Sequence, residues 1–539
     1  MALTSLLLSP PMSDRAFLLA LLALLVAMVL GSTLDVMEVD AAQYAAMSQD
    51  MMASDNWLEL HHRGQAYLDK PPLLFWLSAL SFKVFGVHNW SYKLPSILFA
   101  CLGLFSTYRF ALLHHGREVA RYAVLVLGGS AAFLVMTNDV RCDTILMGSV
   151  ITAIWLGSAW MKDRRWWQLI GTAVAIALGM LAKGPIGLFA PLLALGSEVI
   201  GKRRWDVLRD PRLFVAPLLV GVALLPMCLG LYAQHGAHGL RFYFWEQSFG
   251  RITGENRWKD DSTVLFFTHE IIWLVLPWTP VVLAGLWRSG LALVKRRSLP
   301  EHASFCGAVL VFLALSLSHF KLPHYLYVAL PLFAVLGARE WANEWNRGLR
   351  IAMLAVLGLL VVLAMVLAGC SFRDGSAPYL LLLAGAIVLA AFFTRALEER
   401  ARWALVTVWT WAAIAVVVNA HVYPQLLDYQ ANAKAGQWFK QHEVGPARSM
   451  SIGIGGTALN FYAGHTVHYV FDAHEAMPFI APGLVVYTDA PNFQGLLERG
   501  AVPQEVVHLK NYRVQLVGMD FLDPASRASA TTDHVIIRF

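Results

Sequence analysis

The sequence predicts an all-α polytopic membrane protein of about thirteen transmembrane helices with a small C-terminal α/β soluble domain. Three observations predict it. The 539-residue chain is 57% hydrophobic with a mean hydropathy of +0.54, and only 14% of its residues are charged, far from the make-up of a soluble chain. Basic residues gather in alternate short loops, as the positive-inside rule requires. After about residue 421 the long apolar runs stop and alternating, β-rich segments begin.

Apolar runs long enough to cross a bilayer lie at about 16–33, 93–113, 119–137, 144–161, 167–182, 184–200, 213–233, 263–287, 303–320, 323–338, 350–369, 378–394 and 403–421. The first has no clear small-x-small cleavage site after it and reads as an uncleaved span. The run from Pro72 to Gly86 is short, opens on Pro-Pro and holds Lys83. Laid on the membrane, it leaves the basic groups Lys162/Arg164/Arg165, Lys202/Arg203/Arg204 and Lys295/Arg296/Arg297 on one face with the N-terminus. Counted as a span, it breaks that agreement. The N-terminus is therefore expected inside and the C-terminus outside. The five cysteines are scattered, with no pairing pattern or metal spacing.

The segment 34–44 leaves the first span and holds three carboxylates, Asp35, Glu38 and Asp40. It runs into an amphipathic helical pattern with Tyr44, Met47 and Met51 along one side. A carboxylate fixed at a helix start beside the bilayer can serve as a general base. The alternative is that Asp40 is an N-cap.

The outer loops carry few basic residues, and those few stand out: Lys70, Arg141, Lys183, Arg241, Arg251 and Lys321. Cations on the wrong side for topology need another reason, and a lipid-borne phosphate at headgroup level supplies one. The alternative for Lys183 and Lys321 is snorkelling at helix ends. Five β-rich runs are expected between 422 and 539, at 450–454, 467–471, 484–488, 514–519 and 534–539, with helices at 433–441 and 492–499. Gly453-Ile454-Gly455-Gly456-Thr457 lacks a full nucleotide fingerprint and reads as a turn, so no nucleotide cofactor is expected.

Several stretches together resemble the GT-C membrane glycosyltransferases, and more narrowly the bacterial relatives of protein O-mannosyltransferases and of the lipid A aminoarabinose transferase. They are Glu38 to Ala45, Tyr67-Leu68-Asp69-Lys70-Pro71-Pro72-Leu73, Tyr92 to Ser96, Asn138 to Asp143, Lys183-Gly184-Pro185, Phe242 to Arg251, and Phe320-Lys321-Leu322-Pro323-His324-Tyr325. The resemblance implies a transmembrane catalytic domain over 1–421, with juxtamembrane helices in a first outer loop 34–92 and a second outer loop at 234–262, and a periplasmic domain over 422–539. It implies an inverting glycosyltransferase using a polyprenyl phosphate sugar, with a lipid, glycan or protein acceptor and no nucleic-acid partner.

Asp40 falls where the family has the first acid of an Asp-Glu pair. Here Ala41 follows, so the pair is broken and Glu38 is the substitute. Asp143 falls near the second outer-loop acid, with Asp139 as its competitor. Lys70 matches the lysine of the acid-Lys-Pro-Pro motif. Lys70, Arg141, Lys183, Arg241, Arg251, Lys321, His324 and Tyr325 are the expected substrate-binding set. Asp69 resembles a metal-contacting acid, to be completed by His235 or His238 around a divalent ion. A monomer in the bacterial inner membrane is expected. The reading from another class is a flippase for a lipid-linked sugar; it would place ionisable groups near the midplane and show two related halves, and neither is visible.

Overall fold

The computed structural model describes residues 12–248, 250, 253, 255 and 260–539. Among these, eight helices are long and apolar enough to cross a membrane alone: Asp14–Thr33, Asn89–His115, Cys142–Asp163, Trp166–Lys183, Pro211–Glu246, Arg347–Ser371, Ala377–Thr394 and Glu399–Leu427. A ninth passage is the pair Arg117–Gly128 and Ala131–Asn138, bent by 52°. The other four apolar runs hold the shorter helices Ile186–Gly201, Thr279–Val294 and Ala303–Ser316, and the 3-10 turn Pro323–Ala329 running into Leu330–Glu344. By length and composition eight or nine of the thirteen runs are established as passages, and these four fall short of that length. The ambiguous run forms Leu73–Phe85, 13 residues. At the helical rise that is about 20 Å, short of a hydrocarbon core of about 30 Å.

Helix Cys142–Asp163 is the axis of the bundle and is buried along nearly its whole length. Small residues let its neighbours close in. A Cβ on Gly148 would stand 2.3 Å from the Phe99 carbonyl oxygen, and one on Gly187 would stand 2.2 Å from the backbone of Gly179. Gly187→Ala should therefore lower the thermal midpoint in detergent, by an overpacking cost of about 1–3 kcal/mol. Scanning fluorimetry would show it, and an unchanged midpoint would mean that the two helices separate freely.

Two helices fill the loop after the first span. Helix Asp40–Ser54 packs its Ala41, Ala42, Tyr44, Ala45, Met47 and Met51 inward, and Leu73–Phe85 lies against it. The exit of the first span is held by Lys93, fully buried. Its Nζ donates to the carbonyls of Gly31 and Leu34 at 3.0 and 2.8 Å, which closes orphan acceptors at the helix end.

The C-terminal domain is a five-stranded sheet in the order 468–470, 449–452, 485–489, 532–538, 505–511. The first three strands are parallel and the last two pair antiparallel. Helices Ala431–Gln441, Thr457–Ala463 and Ala490–Glu498 cover it. One expected strand is corrected. Residues 514–519 are not extended, because the Tyr512 hydroxyl donates to the Leu516 carbonyl and accepts from Gly518 N, which pins a turn there. The edge strand is instead Glu505–Asn511, whose side chains alternate against Thr532–Arg538.

Candidate active site

Five separate stretches bring their titratable residues to one cavity of about 270 Å³. Asp40 opens helix Asp40–Ser54. Arg141 and Asp143 bracket the start of helix Cys142–Asp163. Lys183 ends helix Trp166–Lys183, where Gly184 takes φ +81° and turns the chain. Lys70 comes from the Asp-Lys-Pro-Pro loop, and His324 and Tyr325 from the 3-10 turn Pro323–Ala329.

The charges are interlocked. Arg141 Nη1 donates to Asp40 Oδ2 at 2.6 Å, and its Nε donates to Asp139 at 2.9 Å. Lys183 Nζ donates to Asp143 at 2.5 Å and sits 4.1 Å over the Tyr325 ring. His324 Nε2 is 3.8 Å from the other Asp143 oxygen. Lys70 Nζ is 2.5 Å from Asp69 Oδ2. Burial alone would pull the Lys70 pKa down, but the Asp69 carboxylate outweighs it and the lysine is raised above its ordinary value. Asp139 moves up, because burial outweighs the Arg141 guanidinium beside it.

Asp40 is not an N-cap. Val39 holds that position with no side-chain cap, and the Asp40 carboxylate, 39% exposed, is spent on Arg141 at the cavity. Asp139 is not among the cavity-lining residues; it stands behind Arg141 and orients it. Glu38 is also outside the lining. Its carboxylate is turned onto the C-terminal domain, where Thr457, Ala458 N and Asn432 donate to it.

Two expected substrate contacts lie elsewhere. Helix Val215–Arg241 breaks at Gly236, with φ +59°, and this carries Arg241 to the surface, where it pairs with Glu246 at 3.3 Å. Lys321 is buried, and its Nζ donates to Ser262 O and Oγ at 3.1 and 3.2 Å, so it ties two loops together. Lys321→Met should lower the thermal midpoint while changing donor KM by less than about threefold; a large rise in KM would return it to the substrate site. Arg251 lies outside the described residues.

The metal set does not assemble. Asp69, His238, Glu246 and Glu255 line a second cavity of about 400 Å³, His235 is not among its lining residues, and Asp69 is engaged by Lys70. Among the described residues no three His, Cys, Asp or Glu side chains gather as a metal site would require. The residues present do not fit the ion the motif suggested, and no step is routed through one.

Sequence reasoning missed several lining residues. Gln247 borders the cavity and donates to the Asp69 carbonyl, and Tyr44 and Cys142 also line it. Its apolar lining is Leu146, Ile186, Phe189, Leu193, Ala314, Leu315 and Leu322.

Residues 69–229 match the family model described as dolichyl-phosphate-mannose-protein mannosyltransferase. The undecaprenyl phosphate-α-4-amino-4-deoxy-L-arabinose arabinosyl transferase of Pseudomonas savastanoi pv. phaseolicola is 28% identical over 448 residues, which is 76% of this chain and 80% of that protein. The chain is a membrane glycosyltransferase with the GT-C fold. The enzyme of the same name from Edwardsiella ictaluri is 27% identical to this glycosyltransferase over 61% of each chain. The crystal structure of ArnT from Cupriavidus metallidurans bound to undecaprenyl phosphate superposes with a TM-score of 0.73 at 19% identity, over 96% of this chain and 97% of that one. That likeness is one of fold: the transferase has the GT-C bundle with a small C-terminal sheet. It is a multi-pass membrane protein.

Proposed function

We propose that this glycosyltransferase moves a sugar from a polyprenyl phosphate to a lipid acceptor, with inversion at the anomeric carbon. The observation that carries this reading is the mixed lining of the cavity. Its lining combines Asp40, Lys70, Arg141, Asp143 and Lys183 with apolar side chains from three helices and a loop. A donor with a phosphate head and a hydrocarbon tail matches both kinds of side chain. An aminoarabinosyl donor is the first candidate, since the relatives covering most of the chain are named for that sugar.

The chemistry follows from the side chains. An acceptor oxygen forms a bond to the anomeric carbon while the bond from that carbon to the phosphate oxygen breaks. The leaving phosphate gains negative charge, and Lys70, Arg141 and Lys183 are the cations at hand to stabilise it. Asp40 takes the proton of an acceptor hydroxyl. Asp143, held by Lys183 and close to His324, fixes the geometry around the donor. In this reading the chain sits in the bacterial inner membrane, N-terminus in the cytoplasm and C-terminal sheet in the periplasm.

The test is a transfer assay with purified protein, a panel of undecaprenyl phosphate sugars and membrane lipid extract. Transfer of one sugar to a lipid is expected. Absence of transfer from every donor, with labelled donor crossing a vesicle membrane, would overturn the proposal in favour of a flippase.

A further inference from the structure

The segment leading into Asp40 is bound to the C-terminal domain residue by residue. Tyr462 accepts from Val36 N through its hydroxyl at 2.7 Å. Gln430 takes both sides of the next step: its Nε2 donates to Val36 O at 3.0 Å, and its Oε1 accepts from Glu38 N at 2.8 Å. The Asp35 carboxylate accepts from Gln437 at 3.0 Å, with Lys434 at 3.8 Å. These partners lie in the C-terminal domain; from the bundle, Asn89 donates to the other Asp35 oxygen at 3.0 Å, so Glu38 is the carboxylate of this segment held by the C-terminal domain alone.

Glu38 completes the set. Its Oε1 accepts from Thr457 Oγ1 at 3.1 Å and from Ala458 N at 3.2 Å, and its Oε2 accepts from Asn432 Nδ2 at 3.2 Å. Both oxygens are therefore used. The seat is the Gly-rich turn after strand Ser449–Ile452, and it is shaped for this contact. A Cβ on Gly456 would stand 2.0 Å from Asn432 Nδ2 and 2.9 Å from Glu38 Oε1. Asn432 is itself fixed, since its Oδ1 accepts from the Tyr487 hydroxyl at 2.8 Å. The turn that invited a nucleotide reading holds a carboxylate of its own chain.

We propose that Glu38 is a positioning residue: held by Thr457, Ala458 and Asn432 beside Gly456, it locks the Asp40 carboxylate at the cavity and makes the C-terminal domain part of the catalytic apparatus. The proposal rests on the reading of Asp40 given above. Only Val39 separates the clamp from the base, so slack at Glu38 passes directly to Asp40. Misplacement of a catalytic group by about 1 Å can cost 10²-fold in rate. The donor's phosphate and tail contacts lie on other elements and are untouched.

The full-length protein tests this in detergent, with the undecaprenyl phosphate sugar it accepts. Glu38→Ala should lower kcat by about 10- to 100-fold with donor KM changed less than about threefold. Glu38→Gln keeps an acceptor for Thr457 and Ala458 but sets its amide N–H against that of Asn432, so it is paired with Asn432→Asp, and Glu38→Gln/Asn432→Asp should recover most of the rate. Thr457→Val should cost several-fold alone and nothing further in the Glu38→Ala background, because both remove one contact. Hydrogen exchange over residues 34–44 should speed up in Glu38→Ala and Thr457→Val alike. Glu38→Gln/Asn432→Asp as inactive as Glu38→Ala would overturn the proposal, since the carboxylate of Glu38 itself would then act in the chemistry. So would unchanged kcat in Glu38→Ala, or additive losses in the double variant. Exchange reads the clamp without reference to chemistry, whereas Asp40→Asn, run in parallel, reads the base; failure of one is therefore distinct from failure of the other.

Discussion

Asp40→Asn is expected to lower kcat for glycosyl transfer by about 10²- to 10⁴-fold, the range for removing a positioned general base. The change deletes the proton acceptor and little else. Asparagine keeps the volume, and its carbonyl oxygen can still accept from Arg141, which now holds Asp40 at 2.6 Å. The other acids cannot easily stand in. Asp143 is committed to Lys183, Asp139 is screened from the cavity by Arg141, and Glu38 is held by the C-terminal domain. Donor KM should stay within a few-fold, since Asp40 would meet the acceptor and not the phosphate. A thermal melt matched to wild type would exclude unfolding. A loss of only about tenfold would reassign the acceptor to a phosphate, which has no proton to lose, and reduce Asp40 to orienting Arg141.

Much of this site is legible in the sequence because of the membrane. Lys70, Arg141 and Lys183 stand in loops beside apolar runs where positive charge is otherwise avoided, and the structure brings all three to one cavity. The same logic also selected Arg241 and Lys321, which share the charge and the topology but not the direction. Only the break at Gly236 and the Ser262 contact reveal that, and neither has a signature in the local pattern. The apolar lining was invisible for a different reason. Leu146, Phe189 and Leu315 are ordinary members of apolar helices, and their common wall exists only after packing. The contacts of Glu38 were not legible, because it lies two residues from Asp40 in the chain whereas its partners lie about four hundred residues away. Span counting fared better: the length of Leu73–Phe85 and the placement of charge both oppose a crossing, so local and global cues agree.

Lys70→Met is the second large effect expected, a loss in kcat of about 10²- to 10³-fold, comparable with removing one preorganised donor to a developing oxyanion. Lys70 differs from the other cavity cations in where its partner sits. Arg141 and Lys183 are neutralised by Asp40 and Asp143 within the cavity, while Asp69 lies outside the lining, on the second cavity. Lys70 thus delivers charge to a site whose other cations are internally balanced. Its raised pKa keeps it protonated beyond its ordinary value of 10.5, so it should contribute no alkaline limb to the rate profile below that pH. Methionine retains the packing of the stem, and Lys70→Met/Asp69→Asn removes the carboxylate left unpaired, separating catalytic loss from strain. The decisive measurement varies the leaving group. A synthetic donor whose phosphate is less basic develops less charge as it departs, so the ratio of wild-type to Lys70→Met rates should shrink with that donor. An undiminished ratio would place Lys70 in ground-state binding, with KM and not kcat carrying its effect.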